Sequence, residues 1–256
     1  MPLIKYFVLL VLIASILQAS VLGVGFLVRK STNRKASVFF GLLLLAFALS
    51  SIDILLLRSN TFAPQFSHLY HLPLWMSLFF GPLLFYHVKF MLFPTYQLRL
   101  SDSKHFALGG IQIGFLTYMS LQPLVRQNEI WTDFIRPYYG PLEYAAFLLT
   151  LLMYLSISYR YIRYKLAILK NKNAEAAIED ATMLRWMVKV FTVLMSIYSF
   201  FAITDFIAFN FYNINLFEVE SFAYAGDLVF AGMLLWLGYH GLKQLSPRFH
   251  LGKYWG

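Results

Sequence analysis

The chain contains no cysteine, which excludes disulfide bridges, thiolate metal sites and cysteine nucleophiles. Charged residues are also scarce, because Asp, Glu, Lys and Arg make up only 13% of the 256 residues, against about 25% in soluble globular domains. Apolar residues reach 59%, and a soluble fold of this size has too few polar side chains to cover so much apolar surface. The composition therefore predicts an integral membrane protein whose main partner is the lipid bilayer.

Motifs that carry catalysis are missing too. The sequence has no HExxH, no GxSxG, no P-loop and no glycine-rich dinucleotide loop. A retinal protein would need a lysine in the middle of its last helix, and the last apolar run has only Lys243, at its end. The net charge of +9 lies in short segments between apolar runs, so it is a topology signal and predicts no direct contact with nucleic acid. We expect neither an enzyme nor a cofactor, and no linker-like tract divides residues 1–256 into more than one domain.

Long apolar runs are what the sequence does contain. A membrane-spanning helix needs about 20 predominantly apolar residues, and the runs do not alternate in polarity as the strands of a membrane barrel would. The sequence therefore predicts an all-α bundle of seven transmembrane helices. Their approximate spans are 6–28, 38–57, 74–93, 106–121, 141–161, 187–210 and 221–242.

The distribution of Lys and Arg gives the orientation. With the N-terminus outside, seventeen basic residues face the cytoplasm and four face the other side, which agrees with the positive-inside rule. The first apolar run continues to Val28 and ends in a basic cluster, so it is interpreted as an uncleaved helix rather than a signal peptide. The longest cytoplasmic segment is 166–186, and residues 173–184 are expected to form a short helix within it. The C-terminus is expected in the cytoplasm of a bacterial cell, with the bundle in the inner membrane.

Four carboxylates lie in or near the predicted spans, all toward the outer side. A charge inside the bilayer costs at least about 2.5–3.5 kcal/mol, so each requires a partner or a function. Small and polar residues at helical spacing share their faces, which indicates that they point into the bundle. One hypothesis is an outward-opening acidic pocket for a cation or a basic ligand. The alternative is that they reach the headgroups or pair with Arg58, Arg126 and Arg136. The carboxylates are Asp53, Glu143, Asp205 and Asp227.

Basic and imidazole side chains lie near the predicted cytoplasmic ends of the third and seventh spans. His87 and Lys89 lie late in the third span and His240 late in the seventh, where they form a candidate proton-sensing group. The alternative is that they are ordinary interfacial side chains. His68 and His71 have the spacing of one helical turn, but a metal site needs further ligands and none follows nearby. No metal site is predicted.

Several residues are candidates for helix packing or bending. Proline removes a helical hydrogen bond, so a Gly-Pro pair in the third span is a candidate hinge. A GxxxG motif in the fourth span permits close helix contact, for which packing within the chain is the expected use. A tyrosine near the end of the seventh span is a candidate membrane anchor, with glycines on either side of it. These residues are Gly81, Pro82, Gly110, Gly114, Gly238, Tyr239 and Gly241.

Short motifs in order along the chain resemble the membrane-embedded N-terminal half of the AraC-type transcription regulators of Bacteroidetes. They are Ile16-Leu17-Gln18-Ala19 through Gly25-Phe26-Leu27, Arg29-Lys30, Asn33-Arg34-Lys35-Ala36 and the run 41–49; Leu72-Pro73-Leu74, Phe79-Phe80-Gly81-Pro82-Leu83-Leu84-Phe85-Tyr86 and Val88-Lys89; and Trp236-Leu237-Gly238-Tyr239 and Gly241-Leu242-Lys243-Gln244. In that family the last membrane helix leads into a cytoplasmic helix-turn-helix domain. No such domain lies within these 256 residues, so the resemblance implies an input module but carries DNA binding to no residue here.

Three classes of function remain open. The resemblance favours a sensory module that transmits an extracytoplasmic stimulus through its seventh span, and such a ligand must bind two states of the bundle unequally. The alternatives are a small transporter or channel that uses the intramembrane carboxylates, and a membrane scaffold without a ligand. For a sensory module, the expected protein partners are a cytoplasmic signalling protein and a second copy of the chain.

Overall fold

A computed structural model describes residues 2–31, 33–59, 72–172, 174–216 and 219–245. Over these residues the chain is helical and contains no strand. The helices are α1 (Pro2–Val28), α2 (Arg34–Ser59), α3 (Ser77–Leu92), α4 (Ala107–Ser120), α5 (Leu124–Ile130), α6 (Gly140–Asn171), α7 (Glu175–Tyr212) and α8 (Glu220–Leu245). A 3₁₀ segment, Leu100–Phe106, precedes α4, and a π-helical segment, Trp131–Tyr139, joins α5 to α6. The all-α prediction is confirmed.

Five stretches of the described chain are long and apolar enough to cross a membrane: Leu3–Val28, Arg34–Leu56, Leu124–Asn171, Ala177–Phe209 and Glu220–Gln244. Helix α3 is apolar but has only 16 residues, and α4 has 14. At 1.5 Å per residue α4 is about 21 Å long, shorter than the roughly 30 Å hydrocarbon core. The helices are compatible with a multi-pass membrane protein.

Two helices are much longer than the apolar runs that predict them. Helix α6 has 32 residues and α7 has 38, because each continues into a segment rich in charge. The prediction of a separate short helix at 173–184 is wrong. Residues 175–184 form the first turns of α7 and continue into the long helix without a break. Apolar side chains cause the continuation, since Ala177, Ala181 and Leu184 are fully buried and recur at the spacing of one helical face.

Six of the described helices form a ring, and α4 and α5 lie outside it. Each of the pairs α1–α2, α2–α3, α3–α6, α6–α7, α7–α8 and α8–α1 is in contact, and α2 also touches α8 across the ring. Aromatic side chains fill the centre of this ring of helices. The phenyl group of Phe47 stacks on that of Phe80, with 3.8 Å between their centroids, and its centroid lies 5.4 Å from that of Phe230. Helix α4 packs on α3 from outside the ring. The protein core therefore lies among α2, α3 and α8.

Helix α3 is the most enclosed element, because 14 of its 16 residues are buried. Gly81 brings it against α6, since a Cβ atom at this position would lie 2.6 Å from Cδ2 of Tyr154. Pro82 is also buried, one residue later. Small residues here allow two helices to approach closely, as is usual in membrane bundles. The predicted hinge position is thus a tightly packed point of the described bundle.

The glycines of α4 do not make the contacts expected of them. A Cβ atom at Gly110 or Gly114 would meet nothing within 4 Å, so the expectation that this GxxxG motif packs within the chain is wrong. Gly109 makes the close contact instead, against the ring of Phe79 on α3. The difference has a simple cause: α4 touches the bundle with one narrow face, and the motif lies on the face that points away. In α8, by contrast, Gly238 packs on Gln18 of α1.

Candidate functional site

The start of α3 is recessed in the described bundle and is surrounded by polar side chains. Three of its neighbours supply hydrogen bonds there. Ser50 of α2 accepts the backbone N–H of Met76 at 2.9 Å, and Gln112 of α4 accepts that of Leu78 at 3.1 Å. The first N–H groups of a helix lack partners within the helix, so side chains from α2 and α4 satisfy them here.

Glu143 of α6 completes this group, which we name the α3 polar cluster: Ser50, Asp53, Trp75, Ser77, Gln112, Tyr139 and Glu143. The Nε2 of Gln112 donates to Oε1 of Glu143 at 2.6 Å and to Oγ of Ser77 at 2.9 Å. The hydroxyl of Ser77 donates to the same Oε1 at 3.4 Å, and the side chains of Tyr139 and Trp75 lie close enough to act on the carboxyl of Glu143. Two donors on one oxygen hold Glu143 against α3 and α4.

Asp53 is close enough to Glu143 for the two charges to interact. Two neighbouring carboxyl groups repel each other when both are ionised. The pair is therefore the part of the predicted acidic pocket that the structure brings together, and a bound cation would relieve its repulsion.

The other two carboxylates lie elsewhere in the described bundle. Asp205, near the end of α7, accepts the backbone N–H of Leu216 at 2.9 Å and so fixes the chain that leads to α8. Asp227 is buried in α8, one turn before Phe230. The predicted salt bridge to Arg126 does not form, because this arginine pairs with Glu129 at 2.7 Å. The side chains of Arg58 and Arg136, like His68 and His71, lie outside the described residues.

The C-terminal half of α3 holds a second polar group. His87 is fully buried, and its Nδ1 lies 3.0 Å from the carbonyl oxygen of Ala36 on α2. Since a carbonyl only accepts, Nδ1 carries the proton. Its Nε2 lies 3.1 Å from Nε2 of Gln244 on α8, an amide N–H that donates to it. These two bonds require the neutral imidazole.

His240 of α8 is buried next to His87, and its Nε2 has no hydrogen-bond partner among the described residues. The geometry therefore gives this pair a role in joining α2, α3 and α8. Proton sensing by His87, Lys89 and His240 stays a prediction that nothing here tests.

Lys89 belongs to a separate group. Its Nζ lies 3.5 Å from the centroid of the Tyr96 ring, a cation–π contact, and the hydroxyl of Tyr96 donates to both carboxylate oxygens of Asp102 at 3.0 and 2.9 Å. The backbone N–H of Arg99 bonds Asp102 at 2.8 Å. These bonds, that of Arg99 first, hold the pKa of Asp102 below its usual range. The group fastens the α3–α4 connection to the end of α3.

Two of the residues proposed for anchoring and packing lie near the end of α8. Tyr239 is exposed, and Nζ of Lys243 lies 4.7 Å from the centroid of its ring, as suits an anchor at a membrane surface. Gly241 touches Phe40 and Phe26. Sequence reasoning missed Gln112, Tyr139, Trp75 and Ser77, although a lone glutamine inside the apolar run of α4 was a signal.

The chain was compared with protein-family models, curated proteins and solved structures, and nothing in any of the three matches it.

Proposed function

We propose that this chain is a membrane sensory module that transmits an extracytoplasmic stimulus to a cytoplasmic partner through α8. The observation that carries the proposal is the course of α3. Its start lies in the α3 polar cluster, and one buried helix later His87 bonds Gln244 in the last turn of α8. A displacement at the outer end of α3 is therefore passed to the end of α8 by one rigid element. The resemblance to AraC-type input domains agrees with this direction of transfer.

The proposal includes seven crossings with the N-terminus outside. Support comes from the contacts between the end of α3 and the α1–α2 connection. The side-chain amide of Asn33, between α1 and α2, donates to the carbonyl of Phe90 at 2.6 Å, and Lys35 donates to that of Tyr96 at 3.0 Å. The α1–α2 and α3–α4 connections therefore lie side by side, on the side where most basic residues are. In the proposed topology α3 is the third crossing, and the short helix α4 returns the chain to the outer side before α6 begins.

Single cysteines test this topology, because the natural chain has none. Thr95 follows α3 and Asn128 lies in α5, and both are exposed. In intact cells a membrane-impermeant maleimide should label Asn128→Cys and leave Thr95→Cys unlabelled until the membrane is opened. Labelling of both positions in intact cells would overturn the assignment of seven spans.

The stimulus in this proposal is a cation or a basic ligand at Asp53 and Glu143. Binding removes the repulsion between the two carboxyl groups and competes for Glu143 with Gln112 and Ser77. Gln112 also accepts the N–H of Leu78 at the start of α3, so α3 is released from α4 and moves relative to α8. A ligand shifts such a bundle only by the difference between its affinities for the two states.

A distance measurement tests the transfer. Spin labels on Thr95→Cys and Leu242→Cys, both exposed, report the separation between the ends of α3 and α8. Glu143→Gln, which removes the charge, should change the distance distribution. The control is Glu129→Gln, because Glu129 is exposed and pairs only with Arg126 in its own helix. If Glu143→Gln leaves the distribution as it is in the unsubstituted chain, α3 does not transmit and the sensory proposal fails.

A further inference from the structure

A groove runs along the face of α7 that points away from the bundle. Its volume is about 390 Å³, and its lining is Thr192, Val193, Ser196, Ile197 and Phe200. Three of the lining side chains are large, apolar and exposed, with Phe200 at 65%. In a bilayer such a face meets lipid chains.

The two hydroxyls in the groove do not make it polar. Thr192 donates to the carbonyl of Val188 at 2.7 Å, and Ser196 donates to that of Thr192 at 2.9 Å. Both hydrogen-bond donors are thus used within the helix. A ligand of this groove needs no polar group along most of its length, as an acyl chain has none.

A cation and an indole stand at one end of the groove. Lys189 precedes Val193 by four residues, and Trp186 precedes Lys189 by three, so all three lie on one face of α7. Both Lys189 and Trp186 are exposed, the latter at 61%. None of the described carboxylates forms an ion pair with Lys189. Lysine and tryptophan at the end of an apolar face are typical of the headgroup level of a membrane.

The length of this face equals one leaflet. From Lys189 to Phe200 the helix rises about 16 Å, close to half of the roughly 30 Å hydrocarbon core. A molecule with a negative headgroup and an acyl chain of one leaflet fits both ends at once.

We infer that the α7 groove is a binding site for an anionic phospholipid, with the phosphate at Lys189 and one acyl chain along Val193, Ile197 and Phe200. The site goes beyond the sensory proposal and depends on it only for the leaflet, which is the cytoplasmic one. Binding itself needs no assumption about topology, so in detergent the two proposals fail separately.

The test uses the full chain purified in detergent and titrated with phosphatidylglycerol or phosphatidylcholine of identical chains, with bound lipid counted by native mass spectrometry. The unsubstituted chain should retain phosphatidylglycerol more tightly. Lys189→Gln should weaken it about fivefold, the effect of one cation at a headgroup, and weaken phosphatidylcholine less, because its choline already offsets the charge of the phosphate. The control is Lys170→Gln, an exposed cation of α6 remote from the groove, which should change neither.

Ser196→Phe fills the groove and should weaken both lipids, whereas Leu149→Phe on the exposed face of α6 should weaken neither. If Ser196→Phe does not fold, brominated phosphatidylglycerol gives a second reading, because it should quench the unsubstituted chain more than Trp186→Phe. Equal retention of the two lipids, equal effects of the two lysine variants, or quenching that is the same with and without Trp186 would overturn the site. A dimer that Ser196→Phe abolishes would assign the groove to a second copy and also overturn it.

Discussion

Gln112→Leu should destabilise the bundle more than any other substitution of a single uncharged polar residue in α4. The amide of Gln112 accepts the N–H of Leu78 and donates to Glu143 and Ser77, and it is completely buried. A leucine leaves the N–H of Leu78 without a partner, which costs about 1–3 kcal/mol. It also removes a hydrogen bond to the carboxyl of Glu143, worth about 1.5–3 kcal/mol if that group is charged. The expected loss in the free energy of unfolding is about 3–5 kcal/mol.

Reversible unfolding in mixed micelles, followed by circular dichroism, measures this loss. Gln97→Leu is the matched control, since Gln97 is exposed, and it should change the free energy of unfolding by less than about 0.5 kcal/mol. A double-mutant cycle with Glu143→Leu isolates the bond between the two residues. In the Glu143→Leu background, Gln112→Leu should cost about 1–3 kcal/mol less than in the unsubstituted chain, because the shared bond is already lost.

Strict additivity of the two substitutions would refute this reasoning. It would mean that the amide of Gln112 does not bind Glu143 in the membrane and that the cluster does not hold α3 to α4 and α6. The proposed route from Glu143 to α8 would then lose its first step.

Three further predictions follow from other parts of the bundle. Gly81→Leu should lower the melting temperature, because overpacking costs at least about 1–3 kcal/mol. Gly110→Ala, in open space, should leave the melting temperature equal or slightly higher. Equal losses in the two variants would refute the close packing of α3 on α6 at Gly81. Gln244→Leu leaves Nε2 of His87 without its donor and should cost about 1–3 kcal/mol; an unchanged unfolding curve would contradict that bond. The backbone N–H of Arg99 holds the pKa of Asp102 below its usual range, so this carboxylate contributes stability above about pH 4 that is lost as the pH falls further. Asp102→Asn should therefore make the melting temperature less sensitive to acid between about pH 5 and pH 3; the same acid sensitivity in both chains would contradict it.

Hydropathy predicted the helices well where lipid alone decides the structure. Each of the seven predicted spans overlaps a helix, because an apolar run in a bilayer has to satisfy its backbone internally. The ends were predicted less well where protein replaces lipid as the neighbour. Residues 175–184 join α7 because Ala177 and Ala181 are buried by protein, and a narrow apolar face does not raise the mean hydropathy of a segment as a long apolar run does.

The candidate site was predictable only in part, for a related reason. Glu143 stands out because a carboxyl in an apolar run requires an explanation. The partners that hold it come from α3, α4 and the π-helical segment, and their pairing depends on how the ring of helices closes. Spacing within one helix gives the face of a residue but not the helix that it meets. Gly110 and Gly114 show this limit, since their spacing permits a contact that the placement of α4 does not provide.

The recessed start of α3 has a consequence for biosynthesis. Of the residues that complete its first turn, Ser50 has been made before α3, while Gln112 and Glu143 emerge only about 35 and 66 residues after Ser77. A nascent chain arrested between α4 and α6 would thus contain α3 with an incomplete polar end. If α3 spans the membrane as proposed, this end has no water to replace the missing partners, and we expect α3 to reach its final packing only after α6 has been synthesised.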